Sequence, residues 1–414
     1  MTERDYMLRA IELARKGEGW CHPNPMVGAV IVKDGRIIGE GYHARCGELH
    51  AERNAFASLT ESAEGATLYV TLEPCCHYGK TPPCTEAIIE NKIARVVIGS
   101  RDPNPKVCGK GAAILRDAGI QVEEDFMKEE CDALNPVFFH YMTSRMPYVT
   151  LKYAMTADGK IATKTGASKW ITGDAARARV QEMRHAHMAI MAGIGTVLAD
   201  DPMLNCRLEG GRDPIRVICD SRLQLPFDSQ IMQSAREIPT IVVTAMDTHA
   251  SGEIKVPSSL DMIPADIPLS LCAKALQLLG AGVRIVNLPG RGGKVDLRKL
   301  MRFLVEEEID SVLVEGGGIL NESLLKEGLV SEVRAFVAPK IFGGDARSPV
   351  AGDGILAVEN ACIMELYDVE KIEGDVLLSY HVIKQMKPDH EADVASADQS
   401  RGEKEEKPYV YGNR

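Results

Sequence analysis

Apolar and polar positions along this chain repeat with two periods, and the switches between them mark out its elements. In YMLRAIELARK, residues 6–16, the apolar residues recur at helical spacing. MVGAVIVKDGRIIGEGYH, residues 26–43, reads as two strands joined by a turn at Asp34-Gly35. A helix is expected from HAE at 50–52, a strand at ATLYVTLEP (66–74) and a helix at TEAIIENK (85–92). The strand ARVVIGS (94–100), the helix GAAILRDAG closed by Gly119 and the strand IQVEE (120–124) follow. The alternation predicts a three-layer α/β/α domain over residues 1–145.

CDALNPVFFHYMTSRMP, residues 131–147, reads as the connection to a second α/β domain over 146–385. That domain opens with the strand YVTLKYAM (148–155) and the helix AARARVQEMRHA (175–186). Strands are expected at AIMAG (189–193), IRVICD (215–220) and PTIVVTA (239–245). The helix LCAKALQLLGAG (271–282), the strand VRIVNL (283–288) and the helix LRKLMRFLVEEE (297–308) come next. SVLVEGG (311–317), ILNESLLKEG (319–328) and VRAFVAP (333–339) close the series as strand, helix and strand. The two halves share no repeat. Residues 386–414 are polar and too poor in apolar side chains to fold alone, so they read as a disordered tail.

Length and composition narrow the picture. A chain of 414 residues exceeds one ordinary core and suggests two or three domains. No run approaches the ~20 apolar residues of a membrane span. The charged N-terminus lacks the apolar core of a signal peptide, so a cytoplasmic location is expected. Eleven cysteines, an odd number scattered through apolar stretches, argue against a disulfide framework. A formal charge of -11 opposes a nucleic-acid partner but leaves small acidic substrates open.

The chemistry concentrates in HAERNAF (50–56) and TLEPCCHYGKTPPC (71–84). Catalytic zinc takes three protein ligands and keeps one position for water. His50, Cys75 and Cys84 are ligands of the right type, and Glu52 beside them is a spare carboxylate. A His/Cys/Cys set with a non-ligand glutamate is the signature of hydrolytic base deaminases. Residues two apart on a helix do not face each other, so His50 must stand at the helix entry and Glu52 in the first turn. Cys84 precedes TEAIIE and also lies at a helix start, where thiolate is favoured. Cys76 or His77 could instead close the shell as a fourth protein ligand, which would make the site structural; the preferred reading keeps Cys76 out and gives His77 to the substrate. The usual deaminase spacing has two residues between the cysteines, whereas here there are eight.

HPNPMVGAVIV (22–32), HAE (50–52), TLEPCCHYGKTPPC (71–84) and RDPNPKVCGKG (101–111) resemble the deaminase half of the bifunctional riboflavin-biosynthesis deaminase/reductase family. The resemblance covers nearly all of residues 1–145, and in that family the long spacing is the rule. It implies zinc on His50, Cys75 and Cys84, Glu52 as proton shuttle, and a substrate-recognition role for the inserted loop. It also implies substrate contacts from Asn24, His77 and Lys80. Read alone, Asn24 is equally a turn residue between prolines, and Lys80 a solvated loop charge.

The second half has no G-x-G-x-x-G after its first strand. Its most informative glycines are in VEGGGILNESLL (314–325), where a strand ends and a helix begins; free N–H groups at such a start bind anions. LKYAMTADGKIA (151–162), SKWITG (168–173), GIGTVLADDPMLNCR (193–207) and VEGGG resemble the reductase half of the same family. That domain is similar to dihydrofolate reductase and uses NADPH. The resemblance implies cofactor contacts from Ala154, Trp170, Thr196, Asp200, Ser221, Gly317, Gly318, Ile319, Leu320, Asn321, Glu322 and Ser323. It implies substrate contacts from Ser168, Arg184, Leu204, Arg207 and Glu315. Arginines suit a phosphate because the guanidinium binds it in two-pronged fashion. Taken alone, Arg184 could be an exposed helix charge, Trp170 plain core, and Lys152 either a site lysine or the polar face of an edge strand.

The expected activity is removal of the 2-amino group of a phosphoribosylaminopyrimidinone, then NADPH-dependent reduction of its ribose to a ribityl chain. The expected partner is this small phosphorylated pyrimidine, with no nucleic acid or membrane, and the chain is expected to form a homo-oligomer, dimer or tetramer. A nucleoside or tRNA deaminase with an unrelated C-terminal domain is the rival enzyme; the cysteine spacing and acidic charge oppose it. A non-catalytic metal module fused to a dinucleotide sensor would have no use for Glu52.

Overall fold

Thr2 opens the first helix, α1 (Glu3–Arg15), with a reciprocal cap: its hydroxyl accepts the Asp5 N–H, and the Asp5 carboxylate accepts the Thr2 N–H. Tyr6, Met7, Ala10, Ile11, Leu13 and Ala14 form its buried face. These elements belong to a computed structural model that describes residues 1–79, 81–104, 107–246, 252–254 and 269–386. Lys80 and the expected polar tail beyond residue 386 lie outside the described residues.

The expected hairpin is β1 (Gly28–Lys33) and β2 (Arg36–Tyr42), antiparallel, with Asp34 and Gly35 both at positive φ. That backbone is what a two-residue hairpin turn demands, and Asp-Gly supplies it cheaply. The helix α2 (Ala51–Ala57) comes next, then β3 (Thr67–Leu72), α3 (Cys84–Glu90), β4 (Arg95–Ser100), α4 (Lys110–Asp117) and β5 (Gln121–Glu123). The strands order as β2-β1-β3-β4-β5, antiparallel at the hairpin and parallel from β3 to β5. Both faces of this sheet are covered, which is why its strands read as near-continuous apolar runs. Ala29, Ile31, Leu68, Val70, Val96 and Ile98 pack with α2, α3 and α4 residues on one side. Val30, Val32, Tyr69 and Val97 pack with α1 and with Cys131 on the other. The stretch read as a connection begins within the helix α5 (Lys128–Asp132) and contains a second, α6 (Pro136–Ser144), with proline in its first turn.

Contacts divide the chain into two compact units, Met1–Tyr148 with Ala178–Leu313, and Val149–Arg177 with the residues from Val314 onward. β6 (Tyr148–Thr156) opens the second unit and α7 (Asp174–Ala186) runs on into the first. The first unit continues with β7 (Ala189–Gly193), α8 (Ile194–Asp200), β8 (Ile215–Cys219), α9 (Gln230–Gln233), β9 (Thr240–Thr244) and β10 (Gly252–Ile254). After them come α10 (Leu269–Gly280), β11 (Val283–Asn287), α11 (Leu297–Glu306) and β12 (Ser311–Val314). β11, β9, β8 and β7 run parallel in that order, with β10 antiparallel outside β11. Within this unit His22 lies between the Asp310 carboxylate, 2.7 Å from Nδ1, and the Ala186 carbonyl, 2.8 Å from Nε2.

Arg216 of β8 is wholly buried and has no carboxylate partner among the described residues. It donates to the carbonyls of Met203, Ile231 and Ile238 and to the hydroxyls of Thr240 and Ser234. Burial draws its pKa down to about 10.

In the second unit β13 (Glu332–Ala338) lies parallel to β6 and antiparallel to β15 (Asp375–Lys384), and β14 (Ile363–Ile372) pairs with β15 at the edge. The helix α12 (Gly318–Lys326) follows the glycine turn. The β14–β15 hairpin is absent from the sequence reading. β14 leaves most of its side chains exposed, so it carries no alternation for a periodicity argument to find.

Candidate active sites

The first site begins with close packing. A Cβ at Gly41 would lie 2.3 Å from the Ala55 nitrogen, so only glycine lets α2 lie this tightly on β2. His50 is the extended N-cap of α2, with φ -72° and ψ 165°, and Glu52 lies in its first turn. Cys75 follows β3 and Pro74, and Cys84 is the first residue of α3 after Pro83. His50 Nδ1 stands 3.4 Å from Cys75 Sγ and 3.5 Å from Cys84 Sγ. One nitrogen and two sulfurs thus lie within 4.8 Å of one another. Tetrahedral zinc with Zn–N of about 2.0 Å and Zn–S of about 2.3 Å requires N···S edges of about 3.5 Å. The donor set therefore fits zinc in both type and spacing. Neither Cys76 nor His77 belongs to this cluster.

The electrostatics are those of a site built for a cation. The Cys75 thiol is drawn down, first by the hydrogen bond from the Cys84 thiol and then by His50. Cys84 is pushed up by that same bond and by burial. The hydrogen bond with Cys75 raises His50. Burial raises Glu52, and the Cys75 charge adds to the rise. A carboxyl moved toward neutrality is suited to both taking and giving a proton.

Asn24 lies beside this set. Its Nδ2 donates to His43 Nε2 at 3.1 Å, and His43 packs edge-on against His50 with ring centroids 5.3 Å apart. His43 is buried, and its Nδ1–H donates to the Leu49 carbonyl at 3.1 Å. Sequence reasoning missed His43, which ends β2 with no spacing signal. His77 is half-buried, and its Nδ1 has no partner among the described residues. The RDPNP motif supplies Asp102, a buried carboxyl raised to about 6 by burial, which accepts the Asn104 N–H at 2.8 Å. Glu73, just before Pro74-Cys75, accepts the N–H groups of Gly109 and Ala112 and so caps the start of α4.

The expected reductase residues fall in two sets. Thr196 and Asp200 on α8, Ser221 after β8, and Arg184, Leu204 and Arg207 lie in the first unit. Arg184 is buried and donates to the Asn205 carbonyl at 2.8 Å, which removes the reading as an exposed helix charge. Leu204 is buried at positive φ, and the exposed Arg207 donates its N–H to the Gln181 side chain. Ala154, Ser168, Trp170, Glu315 and Gly317–Ser323 lie in the second unit. Trp170 is 60% exposed with the Arg177 guanidinium over its ring, so it is not core. Glu315 and Lys152 form an ion pair at 3.1 Å, both nearly buried. Gly317 is the N-cap of α12, with Gly318 and Ile319 following it. Asn321 and Glu322 turn inward: Asn321 donates to the Pro349 carbonyl, and Glu322 accepts the Gly354 N–H. Leu320 is half-buried, and Ser323 donates to the Ile319 carbonyl.

A His/Cys/Cys triad beside a buried glutamate is the arrangement of a zinc-dependent deaminase, here followed by a second α/β region. Residues 1–100 match the cytidine and deoxycytidylate deaminase zinc-binding region, and residues 147–378 match the RibD C-terminal domain. The riboflavin biosynthesis protein RibD of Actinobacillus pleuropneumoniae is 50% identical over 92% of this chain and 96% of its own. That of Aquifex aeolicus is 40% identical over 91% and 98%. Among solved structures, Acinetobacter baumannii RibD superposes with a TM-score of 0.77 at 37% identity, covering 92% of this chain and 99% of its own. A diaminohydroxyphosphoribosylaminopyrimidine deaminase/5-amino-6-(5-phosphoribosylamino)uracil reductase from Thermotoga maritima gives 0.75 at 40% identity, covering 91% and 98%. The chain belongs to the RibD family, the bifunctional deaminase/reductases of riboflavin biosynthesis.

Proposed function

We propose that residues 1–145 deaminate 2,5-diamino-6-(5-phosphoribosylamino)pyrimidin-4(3H)-one and that residues 146–385 reduce the ribosyl chain of the product to ribityl. The observation that carries the first step is the convergence of His50, Cys75 and Cys84 beside the buried Glu52. The substrate assignment is supported by the similarity to the Thermotoga deaminase/reductase.

His50 Nδ1, Cys75 Sγ and Cys84 Sγ would hold one zinc ion. Zinc in such a site supplies a hydroxide at about neutral pH. Glu52, buried in the first turn of α2, takes the proton of the attacking water as the carboxylate and hands it to the departing ammonia. Asn24, held by His43, and His77 are assigned to the pyrimidine, as is Lys80 from the sequence. In the reductase, NADPH supplies the hydride. Two turns offer N–H groups suited to a phosphate, the Gly317 turn in the second unit and Gly193–Thr196 in the first. Arg184 and Arg207 bind the substrate phosphate, and Lys152 with Glu315 orients the ribose.

The assembly proposed is a homo-oligomer, dimer or tetramer, and β14 supports it by exposing Ile363, Leu366 and Val369 at a sheet edge. No helix among the described residues is long and apolar enough to cross a membrane. We propose a cytoplasmic location, supported by the lack of any disulfide among the described cysteines. Incubation of the full chain with the diaminopyrimidine phosphate tests the reading. Ammonia should appear without NADPH, and NADPH oxidation should follow. Ammonia from cytidine or tRNA, with none from the pyrimidine phosphate, would favour the rival.

A further inference from the structure

The described residues between Cys75 and Cys84 are tied down at several points. Tyr78 donates its hydroxyl to the Glu86 carboxylate at 2.9 Å, bridging the loop to α3 on the far side of Cys84. The Cys84 N–H donates to the Cys75 carbonyl at 3.1 Å and approaches Cys75 Sγ at 3.3 Å. Thr81 Oγ1 lies 3.4 Å from His50 Nε2. Since His50 Nδ1 faces the two sulfurs, Nε2 carries the hydrogen and Thr81 accepts it. The remaining tie comes from α2. Arg53 Nε donates to the Pro82 carbonyl at 3.1 Å and Arg53 Nη2 to the Pro83 carbonyl at 2.8 Å.

These last two bonds share one feature. Prolines have no N–H, so Pro82 and Pro83 can be held through the backbone only by their carbonyls. A single planar guanidinium reaches both oxygens in a fixed fork, which an ammonium cannot do. The residue so held is the one immediately before Cys84. Arg53 also follows Glu52 on the same first turn of α2, whose N-cap is His50. One side chain therefore ties the helix that carries one ligand and the proton shuttle to the turn that delivers another ligand.

We propose that Arg53 is a positioning residue of the metal centre: its fork onto Pro82 and Pro83 sets where the Cys84 sulfur stands relative to His50, with Thr81 fixing the His50 ring. This rests on the assignment of zinc to His50, Cys75 and Cys84. Groups that orient metal ligands typically change metal affinity by about 10- to 100-fold when removed.

The test uses the full chain, zinc-loaded, as parent, Arg53→Met, Arg53→Lys and Thr81→Val. Zinc transfer to a colorimetric chelator is timed, and the absorption of the cobalt(II)-substituted proteins is recorded. Arg53→Met should release zinc at least about tenfold faster and alter the cobalt thiolate bands, because the Cys84 geometry relaxes. Arg53→Lys should recover part of the loss by reaching one carbonyl, and the reductase activity should hold in all variants. Equal zinc release and an identical cobalt spectrum in Arg53→Met would overturn the proposal. So would a lowered melting temperature with zinc release unchanged, because Arg53 would then serve only the fold. A parent that takes up no zinc would remove the metal assignment itself, and this inference with it.

Discussion

His50 Nδ1 and Cys84 Sγ stand 3.5 Å apart although 34 positions separate them in the chain. Two helix starts produce this approach, the N-cap of α2 and the first residue of α3. Each helix presents its positive end to the same point, where thiolate charge is needed to hold a cation. Glu52, in the first turn of α2, is a buried carboxyl beside them.

Glu52→Gln should abolish ammonia release by at least about 100-fold while zinc stays bound. The amide keeps the shape of the side chain but cannot carry the proton. Reduction of pre-deaminated substrate should be unaffected. Paired assays for ammonia and NADPH oxidation, with metal analysis of the variant, check this.

A Cβ at Gly195 would meet open space, so the fold tolerates a side chain there. Gly195→Asp should nevertheless weaken NADPH binding at least about tenfold, about 1.4 kcal/mol, by placing a carboxylate against the cofactor phosphates. Deamination should be unchanged. A fluorescence titration of NADPH gives the answer; unaltered affinity would put the dinucleotide elsewhere.

Asp102 gives a pH signature of unusual sign. Its folded pKa, about 6, lies above its ordinary 3.8. Between those values the folded chain holds the proton more often than the unfolded chain does, so stability falls as pH rises through the window and is level above about pH 6. The loss amounts to about 3 kcal/mol. Asp102→Asn should flatten this slope in denaturant unfolding measured from about pH 4 to pH 7.

Arg216→Met should destabilise the fold by at least about 3 kcal/mol, because it leaves the carbonyls of Met203, Ile231 and Ile238 without their donor. Denaturant midpoints of the variant and parent measure it. Met203 precedes Leu204, so the substrate KM of the reductase should also rise.

Much of this was legible in the chain. The position of His50 at a helix entry and of Glu52 in the first turn followed from the two-residue spacing, and both hold. The strands of the first sheet were visible because burial on both faces makes them continuously apolar. What escaped has physical causes. Arg216 sits in an apolar strand and is satisfied by carbonyls that come from elsewhere in the fold, which no local pattern signals. His43 acquires its role by packing against His50, and Arg53 by reaching Pro82 and Pro83 across the inserted loop. β14 lacks the buried face that periodicity needs.

The central claim is a catalytic metal centre with an open position. Anomalous scattering at the zinc edge, on crystals of the full chain with metal content measured in the same preparation, tests it most directly. The account predicts one zinc per chain, bonded to His50 Nδ1, Cys75 Sγ and Cys84 Sγ, with a water as the fourth ligand. A fourth bond from Cys76 or His77, or full deaminase activity in protein that holds no metal, would contradict it.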